Sequence, residues 1–148
     1  MFEIESKDIN EITINVGQKS ITIDVAESTV NAGLEVGEIQ GPGEFEIGDA
    51  AIRGIATEKG TIYDVTIGNT HVGIIGGIET GLDDLGIADI LCTSSVRAIR
   101  ELEPKMVIAM GNVDGMVTEL KSTARTEKKV KIKSGDSLPA TLDVVVLN

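Results

Sequence analysis

Apolar and polar residues alternate one by one through two neighbouring stretches, Glu11-Ile12-Thr13-Ile14-Asn15-Val16 and Ser20-Ile21-Thr22-Ile23-Asp24-Val25. Only Gly17-Gln18-Lys19 separates them. A period of two puts every apolar side chain on one face of an extended strand. Two such runs joined by a short glycine-bearing turn read as a β-hairpin with one buried and one wet face. A helix cannot use this pattern, because its period of 3.6 would smear the isoleucines around the cylinder. The apolar side chains are also of the right kind. There is no Trp, one Tyr (Tyr63) and two Phe (Phe2 and Phe45), so the core falls to β-branched aliphatics, which pack well on a pleated surface.

The pattern continues along the chain. Glu38-Ile39-Gln40 supplies three strand residues, and the stretch before it from Val30 is less regular. Gly41-Pro42-Gly43 is a turn, since proline fixes φ and the flanking glycines accept positive φ. Phe45 and Ile47 then alternate with Glu44 and Glu46, and Ala51 to Ala56 continues extended. After the break at Glu58-Lys59-Gly60, Thr61 to Ile67 alternates, Gly68-Asn69 turns, and Thr70 to Ile75 is an unbroken apolar-rich run. A run without alternation predicts a central strand buried on both faces. The second half changes character. Leu82 to Gly86 reads as a short helix and Asp89 to Thr93 as a strand. Val96 to Leu102 reads as a helix capped by Ser94 or Ser95 and closed by Pro104. Lys105 to Met110 is a buried strand, Asp114 to Ser122 a helix, and Leu142 to Leu147 a final strand. Without repeat, low-complexity tract or linker, residues 1–148 read as one β-rich α+β domain with few helices.

Charge excludes one class of partner. The formal net charge is -11, whereas a nucleic-acid binder needs a basic face to neutralise phosphates. Arg125, Lys128, Lys129, Lys131 and Lys133 do cluster, but Lys129-Val130-Lys131-Ile132-Lys133 reads as the wet face of an amphipathic strand, with lysines of the kind that guard a sheet edge. A small anion site is the alternative. The lone Cys92 allows no intrachain disulfide. No stretch approaches the ~20 apolar residues of a membrane span. The start, Met1-Phe2-Glu3-Ile4-Glu5, is acidic and unlike a signal peptide. Cytoplasm is the expected compartment, with neither nucleic acid nor membrane as partner.

Four stretches together carry a family resemblance: Gly41-Pro42-Gly43-Glu44-Phe45-Glu46-Ile47-Gly48, Ile52-Arg53-Gly54-Ile55-Ala56-Thr57, Thr61-Ile62-Tyr63 and Leu102-Glu103-Pro104-Lys105-Met106-Val107-Ile108-Ala109-Met110. In order and spacing, from about Ile12 to Leu147, the chain resembles the metallo-β-lactamase superfamily. Within it, the likeness is to the small zinc- or manganese-dependent hydrolases related to ascorbate-6-phosphate lactonase. The resemblance implies a layered β-sandwich, here in truncated form. It also implies a metal that lowers the pKa of a bound water.

The ligand positions that the resemblance implies are filled otherwise. A histidine-rich loop would stand between Asp24-Val25 and Gly41, and no histidine is there. Glu58-Lys59 stands where a ligand histidine follows the strand, Gly77 stands at the bridging aspartate, and Gly111 at the last histidine. His71 falls where the family often has arginine. The expectation is therefore a non-catalytic, degenerate member of the fold, without cofactor, that acts as a binding or scaffold module. Deleting a loop and helix should bare apolar sheet surface, which a second copy or another protein would cover. Two alternatives remain. In one, Glu44, Glu46, Asp83 and Asp84 form a substitute carboxylate site for zinc or manganese. In the other, the old cleft at Gly76, Gly77, Gly111 and Asn112 holds a small anionic ligand on backbone amides.

Overall fold

The computed structural model describes residues 1–33, 37–133 and 137–148. Its first strand, β1 (Phe2–Asp8), is followed by β2 (Glu11–Val16) and β3 (Lys19–Asp24), which pair as the expected hairpin with Ile14 opposite Ile21. Then come β4 (Thr29–Asn31), β5 (Glu38–Gln40), β6 (Gly43–Ile47), β7 (Ala50–Thr57), β8 (Gly60–Ile67) and β9 (Thr70–Gly76). The second half runs α1 (Leu82–Leu85), β10 (Ile90–Thr93), α2 (Val96–Leu102), β11 (Met106–Ala109), α3 (Val113–Glu119), β12 (Ala124–Glu127), β13 (Lys129–Ile132) and β14 (Asp143–Leu147). Three of these strands, β1, β4 and β12, lie outside the sequence expectation, and Ser95 rather than Ser94 caps α2.

Two sheets form. One has the order β13-β1-β2-β3-β4-β5 and is antiparallel throughout. The other has the order β12-β14-β11-β10-β9-β8-β7-β6, antiparallel from β6 to β9 and parallel from β9 to β12. The parallel pairs need crossovers: α1 lies in the one from β9 to β10, α2 in the one from β10 to β11, and α3 in the connection that leaves β11. As its apolar run predicts, β9 sits between β8 and β10 and is buried along most of its length.

The sheets face each other over one aliphatic core. Ile4, Ile12, Ile14, Ile21 and Ile23 from the first meet Ile52, Val65, Val72, Ile74 and Ile108 from the second. Each buried isoleucine of this kind contributes about 1.5–3 kcal/mol. A second cluster lies on the far side of the eight-stranded sheet, where Ile75, Leu91, Val107 and Val144 pack under Leu85, Ile99 and Met116 of the helices. The layers are therefore sheet, sheet and helix, a β-rich α+β sandwich.

Among the described residues no helix covers the outer face of the six-stranded sheet, yet that face is not apolar. Its cross-strand rows read Lys131, Glu3, Asn15, Ser20 and Lys129, Glu5, Thr13, Thr22, Asn31, Glu38. Thr13 and Thr22 share a 2.9 Å hydrogen bond across the strands. The expected bare apolar sheet is thus corrected to a polar one. The alternation that buries Ile12, Ile14, Ile21 and Ile23 necessarily turns their polar neighbours outward. No helix is long and apolar enough to cross a membrane among these residues.

Candidate functional site

Five strands end at one edge of the eight-stranded sheet. Thr57 opposes Gly60, Tyr63 opposes Ile74, Gly76 and Ala109 both flank Thr93, and Ile108 flanks Val145. The C-terminal ends of β7, β9, β10, β11 and β14 therefore lie side by side. Crevices of open α/β sheets gather ligands at such carboxyl ends. These strands are followed by Glu58-Lys59, Gly77, Ser94, Met110-Gly111-Asn112 and Asn148.

Hydrogen bonds draw the ends of β9, β10 and β11 together. The Asn112 side-chain amide donates to the Ser94 carbonyl at 3.1 Å, and the Ser94 N–H donates to the Gly76 carbonyl at 3.0 Å. The Thr93 hydroxyl donates to the same Gly76 carbonyl at 2.6 Å. A Cβ on Gly77 would stand 3.2 Å from the Ser94 hydroxyl oxygen, and one on Gly76 would stand 2.9 Å from Val25, in the turn just after β3. So Gly76, Gly77, Gly111 and Asn112 do converge. Beside them runs a groove of about 500 Å³ lined by Ser6 to Ile9, Ala109, Gly111, Val113 and Val146 to Asn148.

Ser95 lies just behind this edge. Its hydroxyl oxygen accepts from the Ala98 N–H at 3.0 Å, capping α2, and its proton goes to the Glu79 carboxylate. Serine at this position satisfies a backbone donor that the helix cannot. Ser95→Ala is expected to cost about 1 kcal/mol in urea denaturation, and a variant as stable as the parent would show the cap to be idle.

The resemblance read from the sequence implies zinc or manganese, and the residues at this edge do not fit such a site. Zinc takes imidazole, thiolate or carboxylate donors at tetrahedral spacing. The positions in question carry Glu58-Lys59 and two glycines, so a single carboxylate is the one donor among them. Gly111 has a φ of 93°, where any L side chain is strained, so a ligand histidine there would need a different backbone. His71, the one histidine, lies five residues before the end of β9, roughly 16 Å up the strand. Among the described residues no group of three or more His, Cys, Asp or Glu converges as metal ligands. Glu44 and Glu46 do share a face of β6, as the alternation predicts, and both are exposed. Asp83 and Asp84 are exposed in the first turn of α1. The structure does not bring the two pairs into one cluster.

A second polar group was not anticipated from the sequence. On the outer face, the cross-strand rows run Glu44, Arg53, Asp64 and Glu46, Ala51, Thr66, His71. Asp64 is 6% exposed, with an Arg53 nitrogen at 3.5 Å and His71 Nδ1 at 3.4 Å. Burial pushes its carboxyl above the usual range, and His71 and Arg53 pull it back in part. Arg53 also donates to the Leu85 carbonyl at 3.1 Å, and the His71 N–H donates to Asp89 at 2.8 Å. These bonds anchor α1 and the chain after it on the sheet.

The trio Thr66, His71 and Asp64 has the composition of a nucleophile relay but not its geometry. Such a relay needs the hydroxyl on one ring nitrogen and the carboxylate on the other. Here both partners address Nδ1, the hydroxyl at 3.2 Å and the carboxylate at 3.4 Å, so no proton can pass through the ring between them. Cys92 offers no alternative, since burial raises its thiol pKa and keeps it protonated. The signal for this group was present in the turns. The two-residue turn Glu58-Lys59 sets Thr57 opposite Gly60, and counting back sets Arg53 opposite Asp64. Counting from Gly68-Asn69 sets Thr66 opposite His71.

No family model matches the sequence, and no curated protein does. Among solved structures, the chain is similar to a protein from Thermotoga maritima described as a candidate zinc-dependent hydrolase of the metallo-β-lactamase superfamily. The identity is 19%, the TM-score 0.71, and the match covers 99% of both chains. A metallo-β-lactamase-fold protein from Bacillus subtilis is similar over 72% of this chain and 50% of its own, at 12% identity and a TM-score of 0.44. The first of these likenesses gives the class: the sandwich is of the metallo-β-lactamase type.

Proposed function

We propose that this chain is a metallo-β-lactamase-type sandwich that works as a binding or scaffold module and not as a metal hydrolase. We place it in the cytoplasm, where the buried thiol of Cys92 stays reduced. One observation carries the reading: the edge where such a site would be assembled holds Glu58, Lys59, Gly77, Ser94, Gly111 and Asn112, a set with one carboxylate and no imidazole or thiolate donor. The 18 residues between Asp24 and Gly43 also contain no histidine, in keeping with a lost ligand loop of the lactonase-like branch. Without ligands no metal is held, and without metal no hydroxide forms near neutral pH. Self-association remains part of the proposal, although the polar face of the six-stranded sheet removes the apolar reason for it. Elemental analysis tests the reading after purification without chelator and again after incubation with zinc and desalting. Zinc, manganese and iron are expected far below one equivalent in both samples. A full equivalent of any of them would overturn it.

The convergence of Gly76, Gly77, Gly111 and Asn112 favours a second reading, a small anionic ligand at the same edge. Glycine-rich turns can present backbone amides to an anion without charged side chains. Phosphorylated sugars would then raise the melting temperature in a concentration-dependent way. A flat titration to millimolar ligand would exclude it.

A further inference from the structure

We infer that copies of this chain dock side to side, the lateral side formed by β12 and β13 of one against the side formed by β5 and β6 of the next. The proposal rests on the scaffold reading and names the surface that such a scaffold would use. The sheet order is its starting point. β12 and β13 are edge strands of different sheets, joined by Lys128 alone, and β5 and β6 are the opposite edges, joined by Gly41-Pro42. Each lateral side of the sandwich is thus a strand pair that crosses from one sheet to the other. Edge strands present unpaired N–H and C=O groups to any strand that meets them.

The two sides carry opposite charge. From Ala124 to Lys133 there are five basic residues and one acidic, and from Glu38 to Asp49 there are four acidic and none basic. All ten of these side chains are exposed. Within the chain Lys129 and Lys131 share Glu3, at 3.4 and 3.9 Å, and Arg125 pairs with Glu127 and Asp143, so the surplus on the basic side rests on Lys128, Lys133 and the lysine that Glu3 does not neutralise. The contrast stands out because the molecule as a whole is strongly acidic, at -11. It is also in phase. On β6, Glu44 and Glu46 point out while Phe45 and Ile47 turn in, and on β13, Lys129 and Lys131 point out while Val130 and Ile132 turn in. Antiparallel pairing of these strands would set lysine beside glutamate on one face and aliphatic beside aromatic on the other, the arrangement that favours cross-strand pairs. Two copies of the acidic side, or two of the basic side, would repel. The contact is therefore heterologous, and repetition gives a ring or a filament.

Analytical ultracentrifugation of the full chain tests this. At about 0.1 M salt the Debye length is about 10 Å, so net repulsion is damped while direct pairs survive; at about 1 M it is about 3 Å. The average mass is expected to rise with concentration above 15.6 kDa at the lower salt and to return towards it at the higher. The triple variant Glu38→Lys, Glu44→Lys, Glu46→Lys should be monomeric. So should Lys128→Glu, Lys131→Glu, Lys133→Glu. An equimolar mixture of the two should associate again, which misfolded variants could not do. A parent that stays monomeric at both salts would overturn the inference, as would association that neither triple variant disturbs. So would a basic side that binds duplex oligonucleotide while the chain itself remains monomeric. Metal content does not enter these measurements, so failure here leaves the scaffold reading standing.

Discussion

Tyr63→Ala is expected to destabilise the protein by about 3–5 kcal/mol, and Tyr63→Phe to leave it as stable as before or slightly more so. Tyr63 is the largest fully buried side chain, and its ring lies in the core between the sheets. Its hydroxyl is buried with no hydrogen-bond partner among the described residues. Removing the ring opens a cavity that two stiff sheets cannot collapse into. Removing only the oxygen relieves a polar atom that lost its water on folding and gained nothing in exchange. Alkaline titration separates the two effects. Burial, with Asp24 nearby, pushes the Tyr63 phenol up to about 12 from 10.0. The folded state then binds the proton more tightly than the unfolded state, so stability falls as pH rises from about 10 to about 12. Urea denaturation at pH 7 should rank phenylalanine at or above tyrosine, with alanine far below and its melting temperature on the order of 10 °C lower. The alkaline loss attributable to this residue should be absent in Tyr63→Phe. An alanine variant within 1 kcal/mol of the parent would mean that the ring is not part of the core.

How much of this was legible beforehand follows from where each strand draws its stability. β2, β3, β8 and β9 are long and flank the core, so their side chains had to obey period two or run wholly apolar, and the pattern betrayed them. β4 has three residues, too few for any period to emerge. β12, Ala-Arg-Thr-Glu, is an exposed edge whose place comes from parallel pairing with β14, a non-local contact that leaves no mark on local pattern. β1 does alternate through Phe2 and Ile4, but Ser6, Lys7 and Asp8 blur it, and the register shifts between Glu5 and Asp8. The uncovered sheet taught the opposite lesson. Reasoning from a deleted layer predicted apolar surface, while the alternation of Glu11 to Val25 already stated that the outward positions were Thr, Asn, Ser and Asp. The residues of the glycine edge were named from sequence, but their convergence depends on parallel strands ending together. Only the registers of β9, β10 and β11 supply that.

Gly54→Val is expected to cost about 2–3 kcal/mol and to loosen the acidic side of the molecule selectively. Gly54 lies in the row Gly43, Gly54, Tyr63, Ile74 on the inner face of the eight-stranded sheet. A Cβ there would stand 3.2 Å from Tyr63 Cε1, 3.3 Å from the Gly41 carbonyl oxygen and 3.3 Å from Pro42 Cα. Two of those three neighbours are backbone, so they cannot rotate away as a side chain would. The turn Gly41-Pro42-Gly43 carries the chain from one sheet to the other directly over this glycine, which is why a residue without a side chain fits best beneath it. Alanine would ask its neighbours to yield by tenths of an ångström. Valine adds two methyl groups and must lift the turn, and β5 and β6 with it. Global denaturation should register the loss, and hydrogen exchange should show it largest at the amides of Gly43 to Ile47. Because Glu38, Glu44 and Glu46 flank the displaced turn, the same variant should weaken any side-to-side association more than its stability change alone predicts. A valine variant with native stability and unchanged exchange in β6 would show that the turn does not press on Gly54. The closure of the sandwich at this side would then have to rest on the pairing of β6 with β7 alone.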